Sequence, residues 1–121
     1  KNGQIISVGR NLINSTFDIT AHAEIQAIKS ASISEKTLDF SGATIYATWE
    51  PCPMCLGAII SAKISKLVIA GRAEQHNKKY GNYSVEEFVK LSEYNNKLKV
   101  ITGMLEKESR SIVEQWTNKN K

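Results

Sequence analysis

Two short fragments of the sequence contain side chains that are suited to metal chemistry. One is His22-x-Glu24, and the other is Pro51-Cys52-x-x-Cys55. The two cysteines lie three residues apart, so on the first turn of a helix their sulfur atoms point the same way. A helix N-terminus favours negative charge, so we expect a lowered thiol pKa and the thiolate form that binds metal. Together with the imidazole of His22, the two sulfurs predict a zinc site with three protein ligands.

Three protein ligands are typical of a catalytic zinc site, because the fourth position then stays open for water. Zinc lowers the pKa of such a water from about 15.7 to near 7. His22 and Glu24 are about 200° apart around a helix, so both reach one metal only if it lies beyond the helix end. We therefore expect two helix N-termini to converge on one zinc ion. Glu24 is then the candidate catalytic residue, which carries protons without binding the metal.

The segments that must position these residues alternate between strand-like and helix-like patterns. Thr20 is the expected N-cap of the helix that carries Glu24, and Ser84 is the expected N-cap of a later helix. Pro53 fits the first turn of the helix that carries the cysteines, where its missing N–H is not needed. This alternation predicts an α/β fold with a mostly parallel sheet covered on both faces. The predicted strands are residues 4–8, 43–49, 66–70 and 98–102, and the predicted helices are residues 21–32, 53–62, 85–94 and 105–116.

Length and composition predict one globular domain over residues 1–121. Apolar residues make up 41% and charged residues 23%, as in ordinary soluble proteins. No apolar run approaches the roughly 20 residues that cross a bilayer, and no secretory signal opens the sequence. We therefore expect a cytoplasmic protein without a membrane partner. The start, Lys1-Asn2-Gly3, is typical of a hairpin turn without its first strand, so we expect the domain to lack an N-terminal helix and strand.

The net charge of +4 permits an anionic partner without requiring one. Most of the excess lies between residues 63 and 79, where Glu74 is the only acidic residue. The simplest interpretation is a solvated rim, and the alternative is a surface that contacts phosphates. The basic residues of this stretch are Lys63, Lys66, Arg72, Lys78 and Lys79.

The two motifs together resemble the signature of the cytidine-deaminase-like superfamily of zinc deaminases. The sequence around them, in residues 21–28 and 44–60, is similar to one branch of that superfamily. This branch contains tRNA adenosine deaminases, bacterial guanine deaminases and fungal cytosine deaminases. The resemblance implies a three-layer α/β/α sandwich with a central mixed five-stranded sheet, one Zn²⁺ per chain and a homodimer.

The resemblance also implies roles for residues around the metal. The resemblance implies the same three zinc ligands and the same proton carrier, Glu24. It also implies that the side chain of Asn11 contacts the base. The backbone carbonyl of Glu50 would accept a hydrogen bond from the leaving amino group. The backbone N–H of Ala23 would contact the ring of the base.

We expect hydrolytic deamination of a free base or nucleoside of the guanine or cytosine type, with release of ammonia. The sequence of residues 71–83 does not match the corresponding loop of tRNA deaminases, and the C-terminal helix lacks their dense arginine cluster. Both observations favour a small substrate. Deamination of adenosine in tRNA is the alternative, because the basic stretch could contact phosphates.

Two further alternatives belong to other functional classes. A redox module would also place Cys-x-x-Cys at a helix start, but it leaves His22-x-Glu24 without a role. A structural zinc module would need a fourth ligand, for which His76 is the candidate. The aromatic side chains considered for the substrate wall are Tyr80, Tyr83 and Trp116.

Overall fold

A computed structural model describes residues 1–74 and 78–119. Within these ranges, helices and strands alternate from the second helix onward, and none of the helices has the length and apolar character needed to span a bilayer. The elements are α1 Ile13–Thr16, α2 Ala23–Glu35, β1 Thr44–Trp49, α3 Pro53–Ser61, β2 Lys66–Gly71, α4 Val85–Leu91, β3 Lys99–Thr102 and α5 Glu106–Lys119.

The three strands form a parallel sheet in the order β1-β2-β3. The central strand β2 buries Leu67, Val68 and Ile69 in succession, which is the continuous apolar pattern of a strand covered on both faces. Helix α2 packs against α3, α3 packs against α4, and α5 packs against β2. Because parallel strands end at the same edge, the residues that follow β1 and β2 lie side by side, and the candidate site forms there.

The α/β class and the parallel sheet are confirmed, but the mixed five-stranded sheet is wrong for the described residues. The predicted strand at residues 4–8 does not form, because a strand requires ladder hydrogen bonds to a neighbour and this segment pairs with none in the described chain. Its one long-range hydrogen bond among the described residues comes from the Ser7 hydroxyl, which donates to the Ala27 carbonyl at 2.7 Å. Ile5 and Val8 are 87% and 80% exposed, whereas Ile6 packs against the core.

Two of the three helix starts predicted from the sequence are confirmed. Ser84 caps α4 by accepting from the Glu87 N–H at 3.1 Å, and Pro53 is the first residue of α3. The predicted cap at Thr20 is wrong, because the Thr20 hydroxyl and N–H both bond to Asp18 in a tight turn. The N-cap of α2 is instead His22, whose side chain therefore lies at the helix end. The single-turn helix α1 was not expected from the sequence.

Gly9 holds the N-terminal segment against the start of α2. A Cβ at this position would fall 2.2 Å from the Ala23 carbonyl oxygen and 2.5 Å from the Ala27 nitrogen. Both are backbone atoms, so the segment itself would have to move. We expect Gly9→Ala to lower the free energy of unfolding by about 1–3 kcal/mol, the usual cost of overpacking. Urea denaturation measures the change.

The matched control is Gly57→Ala in α3, where an added Cβ meets no atom within 4 Å. Alanine is a better helix former than glycine by up to about 1 kcal/mol, so this variant should be at least as stable as the parent. Equal unfolding midpoints for the two variants would contradict the close approach of Gly9 to α2.

Candidate functional site

His22, Cys52 and Cys55 come together at the starts of two helices. His22 is the N-cap of α2, Cys52 is the N-cap of α3, and Cys55 lies in the first turn of α3. Their ligand atoms all lie within 4.8 Å of one another, and the Cys52 Sγ is 3.6 Å from the His22 Nδ1. The predicted convergence of two helix N-termini is therefore confirmed.

The chemistry of this donor set fits a zinc ion. Both cysteines are free thiols, and Cys55 is fully buried. Burial raises the pKa of the Cys55 thiol, and the charges of Glu24 and Cys52 raise it further. At Cys55, burial therefore outweighs the lowering of the thiol pKa that was expected from the helix N-terminus. A metal cation supplies the missing positive charge and makes a coordinating thiol ionise.

The described residues offer these three ligands and no fourth one. Among residues 1–74 and 78–119, no other histidine, cysteine or acidic side chain joins the cluster. His76, the candidate fourth ligand, lies outside the described residues. The alternative of a closed structural site thus finds no fourth ligand among the described residues.

Glu24 is the second residue of α2 and lies beside the cluster without belonging to it. Its carboxylate is close enough to Cys55 to raise the pKa of that thiol by charge and by a hydrogen bond. It also lines the same cavity as His22 and Cys52. A carboxylate in this place can exchange protons with a molecule in the cavity.

The cavity has a volume of about 890 Å³ and extends from the metal ligands toward α5. The three predicted substrate contacts, Asn11, Ala23 and Glu50, all line it. Asn11 also has the local role of a turn residue, because its Oδ1 accepts from the Ile13 N–H at 2.9 Å. The opposite wall is formed by the segment after residue 77 and by α5, and it includes Lys78, Lys79, Tyr80, Tyr83, Arg110 and Val113.

The aromatic candidates divide between two locations. Tyr80 and Tyr83 line the cavity, whereas Trp116 on α5 is not among the described lining residues. Of the two tyrosines that line the cavity, Tyr80 is exposed, at 44% of its surface, and Tyr83 is partly buried. Burial raises the pKa of the Tyr83 hydroxyl, which therefore stays protonated and donates to the Pro51 carbonyl at 2.5 Å.

Sequence reasoning missed an ion-pair network beside the cluster. The Glu50 side chain, only 10% exposed, pairs with Arg72 and accepts from the Val85 N–H at 3.0 Å. Arg72 also pairs with Glu86 at 2.8 Å, and these two carboxylates raise the pKa of its guanidinium. The partners are separated by 14 to 35 residues, so no local motif signals the network.

Residues 1–71 match the model of a family described as the cytidine and deoxycytidylate deaminase zinc-binding region. The chain belongs to this family. A solved structure from a study of A-to-I editing by tRNA deaminases at the wobble position of transfer RNA has the same fold. Its TM-score is 0.75 at 31% identity, and the match covers 92% of this chain and 78% of that one.

Relatives of this chain include tRNA-specific adenosine deaminases and a guanine deaminase. A tRNA-specific adenosine deaminase from Buchnera aphidicola subsp. Schizaphis graminum is 36% identical over 113 residues, covering 93% of this chain and 72% of that protein. The guanine deaminase of Bacillus subtilis is 43% identical over 63 residues, covering 52% of this chain and 40% of that protein.

Other relatives are much longer than this chain. The chain spans 12% of a tRNA(Ile)-lysidine synthase from Deinococcus deserti, at 42% identity, and 5% of a chloroplastic tRNA(adenine(34)) deaminase from Arabidopsis thaliana, at 44% identity. Each of these two matches covers 54% of this chain.

We expect the purified chain to bind one zinc ion and the variants His22→Ala, Cys52→Ser and Cys55→Ser to lose it. Each variant removes one of only three ligands, so the metal should be removed by a weak chelator. Zinc content after gel filtration, measured by atomic emission, tests this. Zinc should also raise the melting temperature of the parent, because the site is assembled by the fold.

The control is His76→Ala, which should retain a full equivalent of zinc. If this variant lost its zinc, the fourth coordination position would be occupied by protein, and the structural-module alternative would be correct.

Proposed function

We propose that this chain catalyses zinc-dependent hydrolytic deamination, with adenosine in tRNA as the substrate. The observation that carries the proposal is a cluster of three metal ligands with a non-ligand carboxylate beside it, at one end of a large cavity. Guanine or cytosine was the expectation from sequence. The curated relatives that match over most of both chains are tRNA-specific adenosine deaminases, which favours adenosine in tRNA instead.

In the proposed reaction, water replaces the amino group of the base and ammonia leaves. His22, Cys52 and Cys55 would hold the zinc ion. When bound, zinc supplies a Lewis acid that makes water acidic enough to react near neutral pH. Glu24 would take one proton from the attacking water and deliver it to a ring nitrogen of the base. It would then carry the second proton, from the hydroxyl group added to the ring, to the amino group that departs as ammonia.

The remaining lining residues orient the base. The Ala23 N–H lies at the positive end of α2 and can donate to an acceptor on the ring. The Glu50 carbonyl can accept from the amino group that leaves. Asn11 offers its side-chain amide as a donor to the base, since its Oδ1 already accepts from Ile13. These three contacts remain predictions.

The placement of two lysines supports an RNA substrate over a free base. Within the basic stretch, Lys63 lies 3.8 Å from Asp39, and Arg72 is paired with Glu50 and Glu86.

Lys78 and Lys79, in contrast, line the cavity beside Tyr80. Lysines contact phosphates, and an exposed aromatic ring stacks on an unpaired base, so this wall suits the nucleotides next to the target.

We expect Glu24→Gln to retain zinc and to reduce ammonia release from tRNA by a factor of about 10² to 10⁴, the usual contribution of a general acid–base group. The substitution keeps the shape of the side chain and removes its ability to take up a proton. Glu35→Gln, at the exposed end of the same helix, is the control and should be fully active. Wild-type rates for Glu24→Gln would exclude Glu24 as the proton carrier.

The substrate class is tested in the same ammonia assay with tRNA, adenosine, guanine and cytosine. We expect turnover of tRNA and none of the free bases. Turnover of guanine or cytosine without turnover of tRNA would overturn the substrate assignment and leave the deaminase mechanism in place.

We expect Lys79→Ala to weaken tRNA binding and to reduce the slope of log K against log salt by about one, because one phosphate contact is lost. Lys90→Ala removes the same charge from α4, outside the cavity lining, and should leave the slope unchanged. Titrations of fluorescent tRNA at several salt concentrations measure both slopes. Identical slopes for the two variants would contradict the phosphate contact.

A further inference from the structure

The turn that carries Cys52 is held by a hydroxyl from a distant segment. Tyr83 donates to the carbonyl oxygen of Pro51 at 2.5 Å. That carbonyl and the Cys52 nitrogen belong to one planar peptide group, so fixing the oxygen fixes the orientation of the whole unit. Pro51 is fully buried, and its carbonyl therefore depends on a protein donor.

The direction of the Cys52 sulfur depends on the orientation of the peptide group between Pro51 and Cys52. Cys52 precedes the first helical residue of α3 and has extended dihedral angles, with φ −70° and ψ 169°. Its sulfur accepts from the Cys55 N–H at 3.4 Å and lies 3.6 Å from the His22 Nδ1. Rotation of the preceding peptide plane would therefore move the Cys52 Sγ relative to the other two ligands.

Tyr83 is itself fixed by aromatic packing. Its ring makes edge-to-face contacts with Tyr80 and Phe88, each with a centroid separation of 6.2 Å. Phe88 belongs to α4 and packs against the hydrophobic core. The hydroxyl is thus held in place by the fold and does not depend on its loop alone.

A second anchor acts on the same turn. The carboxylate of Glu50, the residue before Pro51, accepts from the Val85 N–H at 3.0 Å and pairs with Arg72. The Glu50 N–H in turn donates to the Gly71 carbonyl at 2.8 Å. The residues on both sides of the Glu50–Pro51 bond are therefore tied to the segment between β2 and α4.

We propose that Tyr83 is a positioning residue for the metal, acting through the Pro51 carbonyl to hold the Cys52 sulfur in the geometry that zinc requires. This inference rests on the proposed metal site. Hydrogen bonds that orient metal ligands typically change affinity or activity by about 10–100-fold when they are removed. Tyr83 would orient the ligand Cys52 in a similar way, although it binds the preceding carbonyl and does not bind the metal itself.

The test is Tyr83→Phe, which keeps the ring and its packing and removes only the hydroxyl. We expect its zinc affinity, measured by competition with a chromogenic chelator, to fall about 10-fold or more. The absorption spectrum of the Co²⁺-loaded protein should also change, because the d–d bands report ligand geometry. Tyr94→Phe makes the same chemical change after α4, outside the cavity lining, and should match the parent in both measurements.

The cobalt spectrum at saturating metal separates positioning from stability. A lower melting temperature with parental zinc affinity and a parental cobalt spectrum would overturn the inference, because Tyr83 would then be only a packing residue. A parent chain that binds zinc and deaminates nothing would overturn the proposed function while leaving the Tyr83 inference standing on the metal measurements. A parent chain that binds no zinc would overturn both.

Discussion

The convergence of two helix starts on one point is the constraint on which the rest of the site depends. Helix α2 contributes an imidazole and α3 contributes two sulfurs, and one of those sulfurs is buried next to a carboxylate. Several anionic or electron-rich atoms in so small a volume repel one another unless a cation is shared among them. Packing of α2 on α3 brings the three ligands within reach of one ion.

The segment after β2 contributes residues both beside the metal ligands and to the cavity lining. Arg72 and Tyr83 hold the backbone that leads into Cys52, while Lys78 and Tyr80 form part of the opposite wall. One stretch of chain thus connects the residues that orient a ligand with the residues that would contact a substrate.

Sequence patterns predicted the parts of the structure that local interactions determine. Ser84 and Pro53 mark helix starts through their own hydrogen-bonding properties, and Cys-x-x-Cys predicts two sulfurs on one helical turn. The parts that failed depend on distant partners. Residues 4–8 have the composition of a strand but no neighbour to pair with in the described chain, and Glu50 finds Arg72 only after β1 and β2 align.

The net charge of the chain does not identify the substrate, because some basic residues form ion pairs with carboxylates of the same chain. The basic stretch counted as a single feature in the sequence, yet Lys63 and Arg72 face carboxylates in the fold and contribute little net field. Lys78 and Lys79 are placed differently, because they line the cavity. A phosphate is attracted by positive charge close to its path, so two lysines at the cavity wall carry more information about the substrate than the total of +4.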